Sequence, residues 1–322
     1  MPDGYTAEAA SPAPHMRRNV GLLIACQALF YTATGVILAV SALVGFALAP
    51  AGEKWLATAP QAIQWLTTAA FALPVALLMR RFGRKAIFVA FSLLGALGTL
   101  GATGAIVWHE FWVFVVATLA FGAFNAAGQH LRFAAAEVAS DAFRAVAISL
   151  VVGGGVIGAF AGPEIAKWTH AIAADWLRHD GVAALVAWLG PADAAGGGAH
   201  PYQFAGTFLA LVAVPLILIA VVALVRFPPP PAVAVQTEPA QPLLEMVVQP
   251  GFVVAVLCAV IGWGIMVFMM SATPLAMIAE HGHGTDHAMF VTQWHMVGMF
   301  APSLVTGTLI RRHGLLNVLL CG

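Results

Sequence analysis

Long apolar runs separated by short polar joints make up most of this chain. A bilayer-spanning helix takes about 20 mostly apolar residues. Eight stretches meet that length: Val20–Leu48, Trp55–Met79, Ala86–Val107, Phe111–Ala136, Ala142–Trp168, Phe204–Val225, Phe252–Ala279 and Met289–Ile310. A ninth starts at Leu315, about two turns before the chain stops at Gly322. None alternates apolar and polar residues as the strands of a membrane barrel do. In hydrocarbon every backbone amide has to be bonded within its own segment, so the runs predict helices.

The basic residues alternate with the spans. Arg17 and Arg18 precede the first, Arg80, Arg81, Arg84 and Lys85 follow the second, Arg144 follows the fourth, Arg226 the sixth, and Arg311 and Arg312 the eighth. The opposite joints hold only Lys54, Lys167 and Arg178. Lys and Arg concentrate on the cytoplasmic side, so the expected N-terminus is cytoplasmic and the expected location a bacterial-type inner membrane. Met1–His15 is polar, and the first apolar run is too long for the core of a secretory signal peptide.

Two joints are long. Residues 169–203 lie outside, include Gly196-Gly197-Gly198, and hold a candidate amphipathic surface helix at Ala171–Leu189. Residues 227–249 lie inside and contain Pro228-Pro229-Pro230-Pro231, a stiff extended spacer. The expected organisation is a tail at 1–19, a six-span half at 20–226, a linker at 227–249 and a partial second half at 250–322.

Composition narrows the function. Hydrophobic residues make up 61% of the 322 and charged residues only 9%, against about 25% in soluble domains. With 14 basic and 14 acidic residues the chain has no basic face for nucleic acid. Cys26, Cys258 and Cys321 are far apart in apolar sequence and read as packing residues. No phosphate-binding Gly-Lys-Ser/Thr loop and no catalytic constellation occurs, so neither an enzyme nor a cofactor is expected. His281, His283 and His287 share a glycine-broken outer joint that reads as a polar loop rather than a metal site.

Residues 78–83 read Leu-Met-Arg-Arg-Phe-Gly and residues 309–314 read Leu-Ile-Arg-Arg-His-Gly, six spans later. The offset predicts two six-span halves related about the membrane normal. The joint after the second span resembles the loop signature of the major facilitator superfamily: Arg81, Gly83, Arg84 and Lys85 match, while Ala76 and Arg80 replace its Gly and Asp. The second copy matches at Gly307, Arg312 and Gly314. The resemblance implies a twelve-span all-α bundle, of which this chain holds eight spans and a fraction. It also implies a secondary transporter for a small solute, working by alternating access. An ending inside an apolar run is expected of a truncated chain. Residues 131–137 and 153–164 resemble a bacterial subfamily that includes riboflavin importers.

Polar groups at membrane depth mark pathways, because lipid penalises them. On the fourth span Asn125, Gln129 and Arg132 recur at i, i+4 and i+7, one helix face. On the first, Gln27, Tyr31 and Thr34 do the same. The resemblance puts the first and fourth spans of each half along the cavity. Trp263 on the seventh span and Gln293 on the eighth complete the candidate pathway. The resemblance also implies a cytoplasmic latch in which Glu137 and Asp141 pair with Arg81, Arg84 or Arg144. Gly154, Gly158, Gly162 and Pro163 form a small-residue stripe suited to close helix packing and a kink. Gly158, Gly162 and Pro163 also resemble half of a motif of proton-coupled drug exporters, without its trailing Gly pair.

The residues leave rivals open. One is a proton-driven exporter, with Glu137 and Glu164 as proton carriers. Others are a non-transporting receptor or intramembrane enzyme, and an inactive fragment.

Overall fold

The computed structural model describes residues 15–140, 143–176, 202–227, 245, 247–314 and 317–318. Asp141, the proline spacer and residues 177–201, with most of the candidate surface helix Ala171–Leu189, lie outside the described residues. The described chain is helical, in the order α1 Met16–Leu48, α2 Ala59–Phe82, α3 Arg84–Val107, α4 Phe111–Gly128, α5 Leu131–Val138, α6 Arg144–Gly153, α7 Gly155–Trp176, α8 Tyr202–Leu211, α9 Ala213–Leu224, α10 Pro250–Ala279, α11 Thr285–Phe300 and α12 Ser303–His313. A 3₁₀ turn, Lys54–Thr58, leads into α2.

These helices make seven segments long and apolar enough to cross a membrane, each on a predicted span: Met16–Leu48, Lys54–Phe82, Arg84–Val107, Phe111–Val138, Arg144–Thr169, Phe204–Leu224 and Pro250–Ala279. The eighth predicted span is two shorter helices, α11 and α12, parted at Ala301-Pro302. Proline explains that break, because it lacks a donor and clashes with the preceding turn. The fourth span also breaks, at Gln129-His130, and the fifth at Gly154.

α1 is the central helix. Most of its length is buried, including Leu23, Phe30, Val36, Val40 and Val44. α10, at the other extreme, buries only Met270 and Pro274. The largest apolar core joins α1 to the second through sixth spans, with Phe30, Phe114, Phe121, Phe124, Phe204 and Phe208 among its buried side chains. A second, smaller core of Leu38, Ala159, Met270, Met296 and Phe300 ties α1 and α7 to the seventh and eighth spans.

The basic ends of several helices meet. The last turn of α9 leaves carbonyls without helical partners, and two cations take them: Arg18 Nη2 donates to Leu224 O at 3.2 Å and Lys85 Nζ to Ala223 O at 2.7 Å. Asn19, nearly buried, bonds both backbone groups of Arg226, at 2.8 and 3.2 Å. The start of the first span and the end of the sixth therefore lie side by side.

Both copies of the hexapeptide end in the same glycine geometry. Gly83 closes α2 with φ 83°, ψ 153°, and Gly314 closes α12 with φ 79°, ψ 158°. In each case the glycine N–H bonds the carbonyl four residues back, Met79 or Ile310, at 3.0 Å. That backbone region belongs essentially to glycine, which supports reading the two copies as one device used twice.

Candidate functional site

The fifth span presses its glycine stripe onto α1. A Cβ added at Gly154 would lie 2.8 Å from Ile24 O, one at Gly158 2.7 Å from Thr32 N, and one at Gly162 2.9 Å from Thr32 O. The three glycines thus follow α1 from residue 24 to 36, and Pro163 sits inside α7 just beyond them. α7 turns its other side to the eighth span, where Gly155 meets Phe300 and Phe160 meets the edge of Trp294, centroids 5.9 Å apart.

α1 and α4 come together at the Phe30 ring, which packs on Phe124 at 5.6 Å and fills the space a side chain at Gly128 would need. Gln27 and Tyr31, about one turn apart, bracket Phe30 on α1, and Asn125 follows Phe124 on α4, so all three lie within about a turn of the Phe30–Phe124 contact. Asn125 is fully buried and Gln27 is 3% exposed. Neither Asn125 polar atom has a partner, nor has Gln27 Oε1. Leaving such a group unpaired costs about 1–3 kcal/mol. Tyr31 is partly buried one turn beyond Gln27 on α1. Its ring packs at a tilt against Phe300 of α11, centroids 4.1 Å apart, so this layer touches the eighth span.

Other predicted pathway residues stand differently. Thr34 is buried, but its hydroxyl donates to Phe30 O at 3.0 Å, and Thr32 similarly to Ala28 O at 2.8 Å. That self-bond uses the hydroxyl's one proton and leaves it only as an acceptor toward a solute. The predicted single face of Asn125, Gln129 and Arg132 is interrupted, because the break at Gln129-His130 starts a new helix. Gln129 is partly buried at that break, and Arg132 is exposed with its guanidinium over the Phe133 ring at 5.1 Å. Trp263 is half-exposed and meets Trp65 edge-on at 5.5 Å. Gln293 is buried on α11, beside Thr292, which bonds its own helix at Ala288 O.

Trp65 belongs to a group that sequence reasoning passed over. Gln61, Gln64 and Trp65 occupy i, i+3 and i+4 of α2, and every side-chain nitrogen and oxygen of the three lacks a partner. Two glutamines one turn apart inside an otherwise apolar span were the available signal.

At the basic end, Arg84 pairs with Glu137 through Nε to Oε2 and Nη2 to Oε1. Arg144 Nε donates to Ala136 O at 3.3 Å, near the end of α5, and Arg81 lies over the Phe82 ring at 5.2 Å. Glu164 takes Lys167 at 2.8 Å.

A multi-pass helical bundle with unpaired amides at the centre of its membrane-spanning segments is the architecture of a transporter of small solutes. Residues 20–322 match the family model described as Major Facilitator Superfamily, and the chain belongs to that superfamily of secondary transporters. It is similar to the riboflavin transporter RfnT of Brucella anthropi, 32% identical over 304 residues that cover 92% of this chain and 68% of the relative. It is also similar to two Bacillus subtilis proteins described as uncharacterized MFS-type transporters: YdeG is 30% identical over 254 residues and YddS 27% over 244. Each of those alignments covers 76% of this chain and 53% of the relative. No solved structure matches the chain.

Proposed function

We propose that the chain moves riboflavin, or a small metabolite of like chemistry, across a bacterial inner membrane by alternating access, with its N-terminus in the cytoplasm. The observation that carries this reading is the level of Gln27, Tyr31 and Asn125. Unpaired amides of α1 and α4 flank the Phe30–Phe124 contact there, and Tyr31 reaches Phe300 of the eighth span. Groups left without partners in the core of a membrane bundle are stabilised by a solute that brings its own donors and acceptors. The name of the Brucella relative supplies the candidate solute, and the basic ends of the spans support the orientation. The organisation into a six-span half, a linker and a second half belongs to the same proposal, supported by the matched Gly83 and Gly314 ends. So does a cytoplasmic latch centred on Arg84 and Glu137.

The test is uptake of labelled riboflavin by proteoliposomes containing the chain, with and without a pH gradient. Uptake above empty liposomes is expected, reduced at least severalfold in Asn125→Ala and Gln129→Ala with membrane insertion unchanged. Uptake no greater than in empty liposomes overturns the substrate. Normal uptake in both variants removes the fourth span from the site. Uptake that appears only with a gradient assigns proton coupling.

A further inference from the structure

We propose that α2 carries a second recognition layer, built from Gln61, Gln64 and Trp65, and that this layer selects an uncharged planar heterocycle with amide-like edges. The inference rests on the reading above that the chain transports a small solute, and names the class and the place.

Gln61 is 1% exposed and Gln64 fully buried, and both polar atoms of each amide are unpaired, as is the Trp65 indole N–H. The next turn of the same helix behaves differently. Thr67 Oγ1 donates to Ile63 O at 2.9 Å and Thr68 Oγ1 reaches Gln64 O at 2.9 Å and Gly122 O at 3.0 Å. Polar side chains that serve the helix are therefore satisfied by it, and the two glutamines are not. Leucine at either position would avoid the penalty of an unpaired amide. A partner that arrives and leaves accounts for retaining glutamine.

The chemistry of that partner follows from what surrounds the layer. Residues 19–48, 59–79, 111–131 and 250–279 contain no Asp, Glu, Lys or Arg. A charged ligand would be desolvated there without a counter-ion, which costs several kcal/mol or more. Each amide offers a donor and an acceptor side by side, the complement of an imide, ureido or lactam edge. Trp65 and Trp263, edge to face across the second and seventh spans, add flat apolar surface.

The layer is separate from the Gln27–Asn125 level. The Thr68–Gly122 bond sets α2 against α4. The same hydroxyl bonds Gln64 O, which lies against Gly122, and Asn125 is three residues further along α4, so the two levels are about one helical turn, ~5 Å, apart. An elongated solute with a ring at one end and a hydroxyl-bearing chain at the other would span both.

The experiment is equilibrium binding to the full chain in nanodiscs. The ligands are riboflavin, lumichrome (the ring without its chain), ribitol (a chain without a ring), uridine and riboflavin 5′-phosphate. Thermal midpoints are recorded without ligand. Expected are binding of riboflavin and lumichrome, no binding of ribitol, and at least tenfold weaker binding of the phosphate. Gln64→Leu should lose at least tenfold in lumichrome affinity while its midpoint rises. Gln61→Leu and Trp65→Phe give independent readings of the same loss. Flavin affinity unchanged in all three variants overturns the layer and leaves the substrate reading standing. A lower midpoint with unchanged binding makes the amides structural and also overturns it. Binding of uridine but not flavins, lost in Gln64→Leu, overturns riboflavin and supports the layer. Equal affinity for the phosphate overturns selection of uncharged ligands, and binding of none of the ring compounds overturns both.

Discussion

Arg84 holds Glu137 with two parallel contacts, one from Nε and one from Nη2, joining the start of α3 to the end of α5. The Arg84 side chain is 18% exposed and that of Glu137 47%, so water screens the pair on one side. Exposed pairs contribute about 0–1 kcal/mol to stability. The pair's proposed importance is conformational: a contact made in only one state shifts the population by whatever it contributes there. Glu137→Gln should change thermal stability by about 1 kcal/mol or less and uptake by about fivefold, the population equivalent of about 1 kcal/mol. The double exchange Arg84→Glu with Glu137→Arg should recover part of the uptake. Initial rates in proteoliposomes read the effect, and an unchanged rate in Glu137→Gln removes the latch.

Gly83 and Gly314 make a matched pair of tests. Nothing lies within 4 Å of a Cβ built on either, so only the positive φ opposes a side chain. Ala at either position should cost about 1–3 kcal/mol, read as a lower unfolding midpoint in detergent. Equal losses at both positions fit one device used in two halves. No loss at Gly314 would falsify the repeat.

Gly158 tests the contact between α1 and the fifth span. An added Cβ there meets Thr32 N and Tyr31 Cβ, both at 2.7 Å. Backbone on one side leaves little room to yield, so Gly158→Ala should destabilise by about 1–3 kcal/mol. Gly21, on the same central helix, has nothing within 4 Å of its added Cβ. Gly21→Ala should be neutral or slightly stabilising, because alanine loses less conformational freedom in a helix. Thermal denaturation of the two variants side by side gives the answer.

Orientation is open to direct labelling. Trp55 is 76% exposed at the start of the second span and Phe82 is 56% exposed at its end. With an impermeant maleimide on intact cells, Trp55→Cys should label above the parent chain and Phe82→Cys should not until the membrane is opened. The reverse pattern would put the N-terminus outside.

Much of the fold was legible because membrane burial writes itself into runs of residues. Lipid demands long apolar stretches, and α1, α3 and α10 begin within four residues of the predicted spans and end on the same residue. The glycine stripe was legible for a related reason: small residues every fourth place leave one face of a helix open to a neighbour. The break at Gln129-His130 was not legible, since neither residue is forbidden in a helix, and packing chose where the hydrogen bonds give way.

The site was legible in part. Gln27 and Asn125 are buried, because a polar residue inside an apolar run has few alternatives. Thr34 and Arg132 illustrate the limit. Spacing says which residues share a face, but not whether a hydroxyl has already turned to its own helix or whether the helix continues.

By itself, then, the sequence determined where the long apolar helices lie, which of their ends are basic and where the hexapeptide recurs, because those properties depend on local chemistry and the solvent. Only the tertiary structure decided that Glu137 takes Arg84, that Tyr31 meets Phe300 and that the glutamines of α2 are buried without partners. Those are contacts between distant segments, and they depend on how helices pack together rather than on what any one helix contains.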